Sequence, residues 1–165
     1  MEGITMDKDV NFTVENDRFN FRVAYLMFCE NKVLLTTFDD FDFYNLPGGR
    51  AKIGESTVDA LKRELKEELG YELAVKPELK IVSEDFFDWK GKNVHELLFV
   101  FKINLPSEYI KKFENFKILD SKNETVNWFK KDQLKNIKCI KKFINDVFDM
   151  PDGLVHIVND ELYNK

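Results

Sequence analysis

Arg63, Glu64, Glu67 and Glu68 crowd four ionisable side chains into the run Arg-Glu-Leu-Lys-Glu-Glu-Leu. At about 100° per residue, the three glutamates fall within an arc of roughly 100° on a helix. Val58, Leu61, Leu65 and Leu69 recur at helical spacing in the neighbouring sector. One helix would therefore pack aliphatic side chains against a core and present three carboxylates at the edge of that core. Close carboxylates repel and raise one another's pKa values. Hard divalent cations relieve the repulsion, and carboxylate oxygens are the ligands Mg²⁺ prefers. Pro47-Gly48-Gly49 precedes the helix, a loop whose backbone can approach a phosphate or a metal closely. Taken alone, the run also fits a solvated Glu/Lys face, with Glu64–Glu68 and Lys62–Lys66 as i,i+4 neighbours.

The elements that must position these groups are legible in outline. Ser56 or Glu55 can cap the helix, which runs to about Leu69, and Gly70 suits its C-terminal end. Residues 19–29 read as an aromatic-rich strand, Asn31-Lys32 as a turn and 33–38 as the return strand. An acidic loop, 39–42, leads to Leu46-Pro47-Gly48-Gly49, which stops regular structure. Residues 73–87 are extended in character, interrupted by Pro77. Lys90-Gly91-Lys92-Asn93 is a second hairpin turn, and 94–105 a long apolar strand ended by Pro106. A short helix is expected over 107–116 and a strand over 125–129. Helices are expected from about Lys131 and over about 139–148, closed by Met150-Pro151-Asp152-Gly153, with a short strand at 155–158. Strands and helices mix without βαβ alternation, which predicts an α+β fold: a mixed sheet with helices on its faces.

Composition narrows the function. The chain has 165 residues, 44% of them apolar and 16 of them Phe, which predicts one domain over 1–165 with an ordinary core. The net charge of −5 comes without a basic block, so extended nucleic acid is not an expected partner. An acidic protein that takes an anionic phosphate ligand must offset repulsion locally, and bound cations do this. Cys29 and Cys139 lack a CxxC spacing or nearby histidines, so reduced packing residues are expected rather than a zinc site. The chain has no apolar run near 18 residues, and 1–10 is polar and acidic rather than signal-like. The expected location is the cytoplasm, away from membranes.

The wider spacing around the carboxylates decides between the two readings of the helix. Residues 49–71, GRAKIGESTVDALKRELKEELGY, resemble the Nudix box, GX5EX7REUXEEXGU, where U is a bulky aliphatic residue. Gly49, Glu55, Arg63, Glu64, Leu65, Glu67, Glu68 and Gly70 all fall on the pattern. The last position is Tyr71, a departure that touches packing rather than ligation. The order of elements over roughly 20–134 is similar to a whole Nudix domain, which implies an α/β/α sandwich around a mixed sheet.

The resemblance also implies roles. Glu64, Glu67 and Glu68 would hold catalytic Mg²⁺, for which Mn²⁺ can substitute, with the Gly48 carbonyl as a further ligand. Arg63 would orient a carboxylate through its planar fork, and Glu55 would brace the loop–helix junction. The implied reaction is metal-assisted attack of water on a pyrophosphate bond of a small nucleotide-like substrate, such as a nucleoside triphosphate or a nucleotide sugar. The base that takes the proton is a box Glu in some members and a later loop Glu in others. Glu124 is the candidate for the latter, and a solvent-exposed loop residue is the alternative reading of it. For the substrate, Arg50 and Arg22 could bind phosphate, while Phe43, Tyr44, Phe86, Phe87 and Trp89 could stack a base; of these, Phe87 and Trp89 are the expected substrate-binding aromatics. His95 and Glu96 lie on the facing strand. Residues 84–89 contain neither the Pro common in ADP-ribose members nor the Tyr common in diadenosine-polyphosphate members. A monomer or homodimer is expected. The rival reading is a catalytically silent Nudix-like nucleotide-binding or sensor domain, against which the intact box argues.

Overall fold

A computed structural model describes residues 8–163, so the first seven residues of the polar 1–10 stretch lie outside the described residues. In chain order the elements are β1 (Asn11–Val14), β2 (Asp17–Cys29), β3 (Lys32–Phe38), β4 (Gly48–Arg50), α1 (Thr57–Leu69), β5 (Glu78–Trp89) and β6 (Lys92–Leu105). They continue with α2 (Tyr109–Lys112), β7 (Phe116–Lys117), β8 (Glu124–Lys130), α3 (Lys131–Leu134), a 3₁₀ segment Lys142–Asp146, and β9 (Val155–Asp160).

Side-chain alternation along β2 sets the architecture. Val23, Tyr25, Met27 and Cys29 join one buried cluster, and Ala24 and Leu26 join another. A strand buried on both faces sits at the centre of a sheet covered on both sides. The first cluster is completed by Leu61, Leu65 and Leu69 of α1 with Phe113 and Ile118. The second is completed by Leu134, Ile144 and Val147. Each such Leu or Ile stabilises by about 1.5–3 kcal/mol relative to exposure. The result is a mixed sheet between two layers, the α/β/α sandwich expected above.

The strand order is β7-β8-β3-β2-β6-β5-β9, with β1 and β4 also paired to β2. One edge of β2 pairs in parallel with β6 along its whole length. The other edge is shared by β1 at 17–20, β4 at 22–24 and β3 at 28–29. This splay between β2 and β3 leaves room for the residues after β3.

Both ends of α1 are pinned, which fixes the phase of its carboxylates. Ser56 Oγ accepts from the Asp59 N–H at 3.1 Å, an N-cap worth about 1 kcal/mol. Gly70 adopts φ 63°, and the N–H groups of Gly70 and Tyr71 donate to the Lys66 and Leu65 carbonyls. Tyr71 is buried and meets Tyr109 edge to face at 5.5 Å, so its ring fills the core where the pattern has an aliphatic side chain.

Four expectations are corrected. Gly48-Gly49 does not stop regular structure, because Gly48–Arg50 pairs with β2. The first hairpin turns at Glu30-Asn31, with Glu30 at φ 54°, rather than at Asn31-Lys32. The helix over 107–116 is a single turn. The helix over 139–148 is reduced to the 3₁₀ segment: Tyr44 N–H donates to the Lys138 carbonyl and Ile140 N–H to the Tyr44 carbonyl. Backbone pairing with Tyr44 thus holds 138–140 extended and outcompetes local helix propensity.

Candidate active site

α1 turns Glu64 and Glu68 inward, 7% and 3% exposed, and leaves the Glu67 side chain 42% exposed. Arg63 ties this face together. Its Nε and Nη2 donate to the two Glu55 oxygens at 2.7 and 3.0 Å. Nη1 donates to Glu64 Oε1 at 2.6 Å and Glu67 Oε2 at 3.2 Å, and Nη2 also reaches the Arg50 carbonyl. The fork holds the Glu55 carboxyl below its usual range and keeps the guanidinium firmly protonated. Glu55 also accepts from the Lys52 N–H, closing the loop before the helix.

β4 passes directly beside these carboxylates. A Cβ on Gly49 would overlap the Glu64 carboxylate, and a Cβ on Gly48, at φ 151°, would overlap the Val23 carbonyl. Ala51 N–H donates to Phe21 O and Tyr25 N–H to Pro47 O, so the hydrogen-bonded positions on this ladder are 47, 49 and 51. Gly48 falls between them, with its N–H and C=O directed away from β2.

Glu124, at the start of β8, is brought to the same place. Its Oε1 accepts from Thr36 Oγ1 at 2.7 Å. It acts electrostatically on Glu68, as do Glu64 and Asp120. Burial first, then these neighbours, push the Glu68 carboxyl up to about 10. Glu64 and Glu124 are also raised, burial again being the largest cause. Glu68 Oε1 is buried with no hydrogen-bond partner. Asp120 was not singled out from sequence; it is an exposed loop residue with no local signal.

On the opposite face of the sheet a cleft of roughly 510 Å³ opens beside Gly49. Arg22, Arg50, Phe87 and Trp89 all line it. The two arginines are partly neutralised, Arg50 by Asp9 at 3.6 Å and Arg22 by Glu96 at 3.9 Å. Of the other aromatics, Phe43 and the unanticipated Phe41 line the cleft, their rings stacked at 4.7 Å. Tyr44 instead packs on Phe129, and Phe86 stacks on His95 outside the cleft. Lys141, Asn20 and Asn45 were also missed and line the cleft or its inner lobe.

The model of the NUDIX domain matches residues 19–149. This chain belongs to the Nudix family. No relative matches among curated proteins. Among solved structures, the MutT protein from Bacillus halodurans is similar at TM-score 0.65 and 24% identity, covering 86% of this chain and 91% of that one. The MutT protein from Methanosarcina mazei Go1 has TM-score 0.54 and 18% identity, covering 83% and 94%. A NUDIX-family hydrolase from Clostridium perfringens has TM-score 0.54 and 18% identity, covering 76% and 91%. These likenesses establish the fold. Nudix hydrolases generally act on phosphoric anhydride bonds of small nucleoside diphosphate derivatives, and they generally use divalent metals.

Among the described residues no three His, Cys, Asp or Glu side chains already converge into a metal-binding group. Arg63 Nη1 bonds both Glu64 and Glu67. The Nudix donor set nevertheless fits a hard cation. It is all oxygen, Glu68 Oε1 lacks a partner, and the Gly48 carbonyl lies outside the β2 ladder. Both cysteines are free, Cys29 buried and Cys139 half-buried, and no described helix is long and apolar enough to cross a membrane.

Proposed function

We propose that this protein is a Mg²⁺-dependent pyrophosphohydrolase. Its substrate would be a nucleoside diphosphate linked to another moiety, nucleoside triphosphates and nucleotide sugars included. The observation that carries the reading is the partnerless Glu68 oxygen, buried among Glu64, Glu124 and Asp120. A carboxylate left so costly to ionise is one that a cation would stabilise.

Glu64, Glu67, Glu68 and the Gly48 carbonyl would hold the metal. Bound there, Mg²⁺ would neutralise charge on the diphosphate and acidify water, and Mn²⁺ could substitute. Arg63 braces the carboxylates from the protein side, with Glu55 orienting Arg63. Arg50 and Arg22 receive phosphate oxygens in the cleft, and Phe87 and Trp89 flank the planar part of the substrate. Glu124 takes the proton from the water that attacks phosphorus; its raised pKa makes it a stronger base than an exposed carboxylate. A box glutamate is the alternative base.

The test is phosphate release over a nucleotide library, with and without Mg²⁺. Mg²⁺-dependent release from at least one nucleotide supports the reading. Saturable nucleotide binding with no release under any condition would favour a silent binding domain instead.

A further inference from the structure

The cleft floor is built by four strands in register. Asn20 on β2 lies opposite Glu96 on β6, Glu96 opposite Asp85 on β5, and Asp85 opposite Asn159 on β9. These positions form one polar row across the sheet. Asn20 and Glu96 line the main cleft, and Glu96 and Asn159 line its inner lobe of roughly 260 Å³.

The row combines two carboxylates with two carboxamides, so its lone pairs outnumber its N–H groups. Asn20 is 9% exposed and its Oδ1 has no partner. Asp85 is fully buried and its Oδ1 also has none. Lys141 is buried and donates at 2.8 Å to Asp85 Oδ2 and at 2.8 Å to Glu96 Oε1. Its ammonium lies 5.3 Å from the centre of the Phe87 ring. With Arg22 on the other oxygen, Glu96 is held ionised despite its burial. An ionised carboxylate accepts hydrogen bonds and cannot donate one. Above the floor stand Phe43, Phe87 and Trp89, flat faces suited to a planar ring.

We propose that this cleft selects a nucleobase bearing an exocyclic amino group, with Glu96 as the acceptor that reads it and Lys141 as the residue that positions Glu96. This rests on the function proposed above. Uracil and thymine present carbonyl oxygens on both sides of their single ring N–H, and one of these would face the Glu96 carboxylate and be repelled by it. Cytosine offers an amino group at the corresponding edge and has the same size. A buried acceptor left unmatched is costly, so discrimination follows from chemistry rather than shape.

The experiment compares CTP with UTP, and CMP with UMP. Turnover is measured with Mg²⁺. Monophosphate binding is followed separately by tryptophan fluorescence without metal, with Trp89→Phe locating the signal in the cleft. The expected result is a preference of at least about tenfold for the cytosine member in both kcat/KM and affinity. Glu96→Gln, which replaces one acceptor by a donor, is expected to bring the ratio toward one or reverse it. A wild-type ratio near one, a preference for the uracil member, or no binding of either monophosphate at millimolar concentration overturns the proposal. Loss of folding in Glu96→Gln leaves the wild-type ratios decisive. If neither triphosphate is hydrolysed but CMP binds over UMP as expected, the catalytic reading fails on these substrates and the base selection stands.

Discussion

Glu68 combines burial, three negatively charged neighbours and a partnerless oxygen. Glu67→Gln and Glu68→Gln are each expected to lower kcat by at least about a hundredfold, because each removes charge that offsets the developing transition state. Steady-state kinetics on a confirmed substrate, with circular dichroism to verify folding, checks this; near-wild-type turnover in either variant would sink the role. The raised Glu68 pKa has a consequence for stability whose sign is definite. In the folded metal-free protein Glu68 holds its proton up to about 10, while the unfolded chain releases it in the ordinary carboxylate range. The folded state therefore binds more protons across that window, and stability falls as pH rises through it. Glu64 and Glu124, raised as well, act in the same direction. Metal-free melts from about pH 5 to 9 are expected to show a declining Tm, with a smaller decline in Glu68→Gln. An equal slope in both proteins would remove Glu68 as the source. Activity, by contrast, is expected to climb with pH above neutrality, since metal ligands and base must be unprotonated. A rate maximum below about pH 6 would contradict it.

At the scale of elements, β4 is the hinge of the design: three residues separate the carboxylate face of α1 from the cleft. The absence of a side chain is required at Gly48 and Gly49, because a Cβ would overlap Val23 at the first and Glu64 at the second. Gly49→Ala is expected to push the Glu64 carboxylate off its position and cut kcat by about tenfold or more with modest loss of stability. Gly48→Ala meets backbone rather than a movable side chain. It is expected to destabilise by about 2 kcal/mol or more, through overlap with Val23 and a positive φ. Urea melts separate the two, and a Gly48→Ala protein as stable as wild type would mean that β4 can leave β2 freely. The N-cap of α1 offers a milder control: Ser56→Ala is expected to cost about 1 kcal/mol without altering kcat per folded molecule.

Across the whole molecule, α1, β8 and the loop carrying Asp120 bring acidic side chains together at one place. A cation that binds only the folded state stabilises by mass action. Millimolar Mg²⁺ or Mn²⁺ is expected to raise Tm by a degree or more, and Glu67→Gln to blunt the rise. Ca²⁺ is expected to bind but support little turnover, because its looser coordination positions water poorly. The comparison is made at constant ionic strength; identical responses of wild type and variant would place the cation elsewhere.

The α1 carboxylates, their arginine and the two caps were legible because they lie within 23 consecutive residues of one box, where a 3.6-residue period converts spacing into geometry. Arg22, Arg50, Phe87 and Trp89 were legible as chemical types, and the cleft gathers all four. Local propensity predicts a helix from about 139, but residues 139–141 are extended because a helix there loses to backbone bonds with Tyr44, nearly a hundred positions away. That extended segment carries Lys141 to Asp85 and Glu96. Likewise Glu124 and Asp120 meet Glu68 only because β8 pairs with β3 in one register, and the row from Asn20 to Asn159 exists only through the alignment of four strands. Sequence alone determined which residues carry charge and which helix face they share, since both follow from local order along the chain. Tertiary structure alone decided which charges are buried together, because strand register and desolvation are properties of segments distant in sequence.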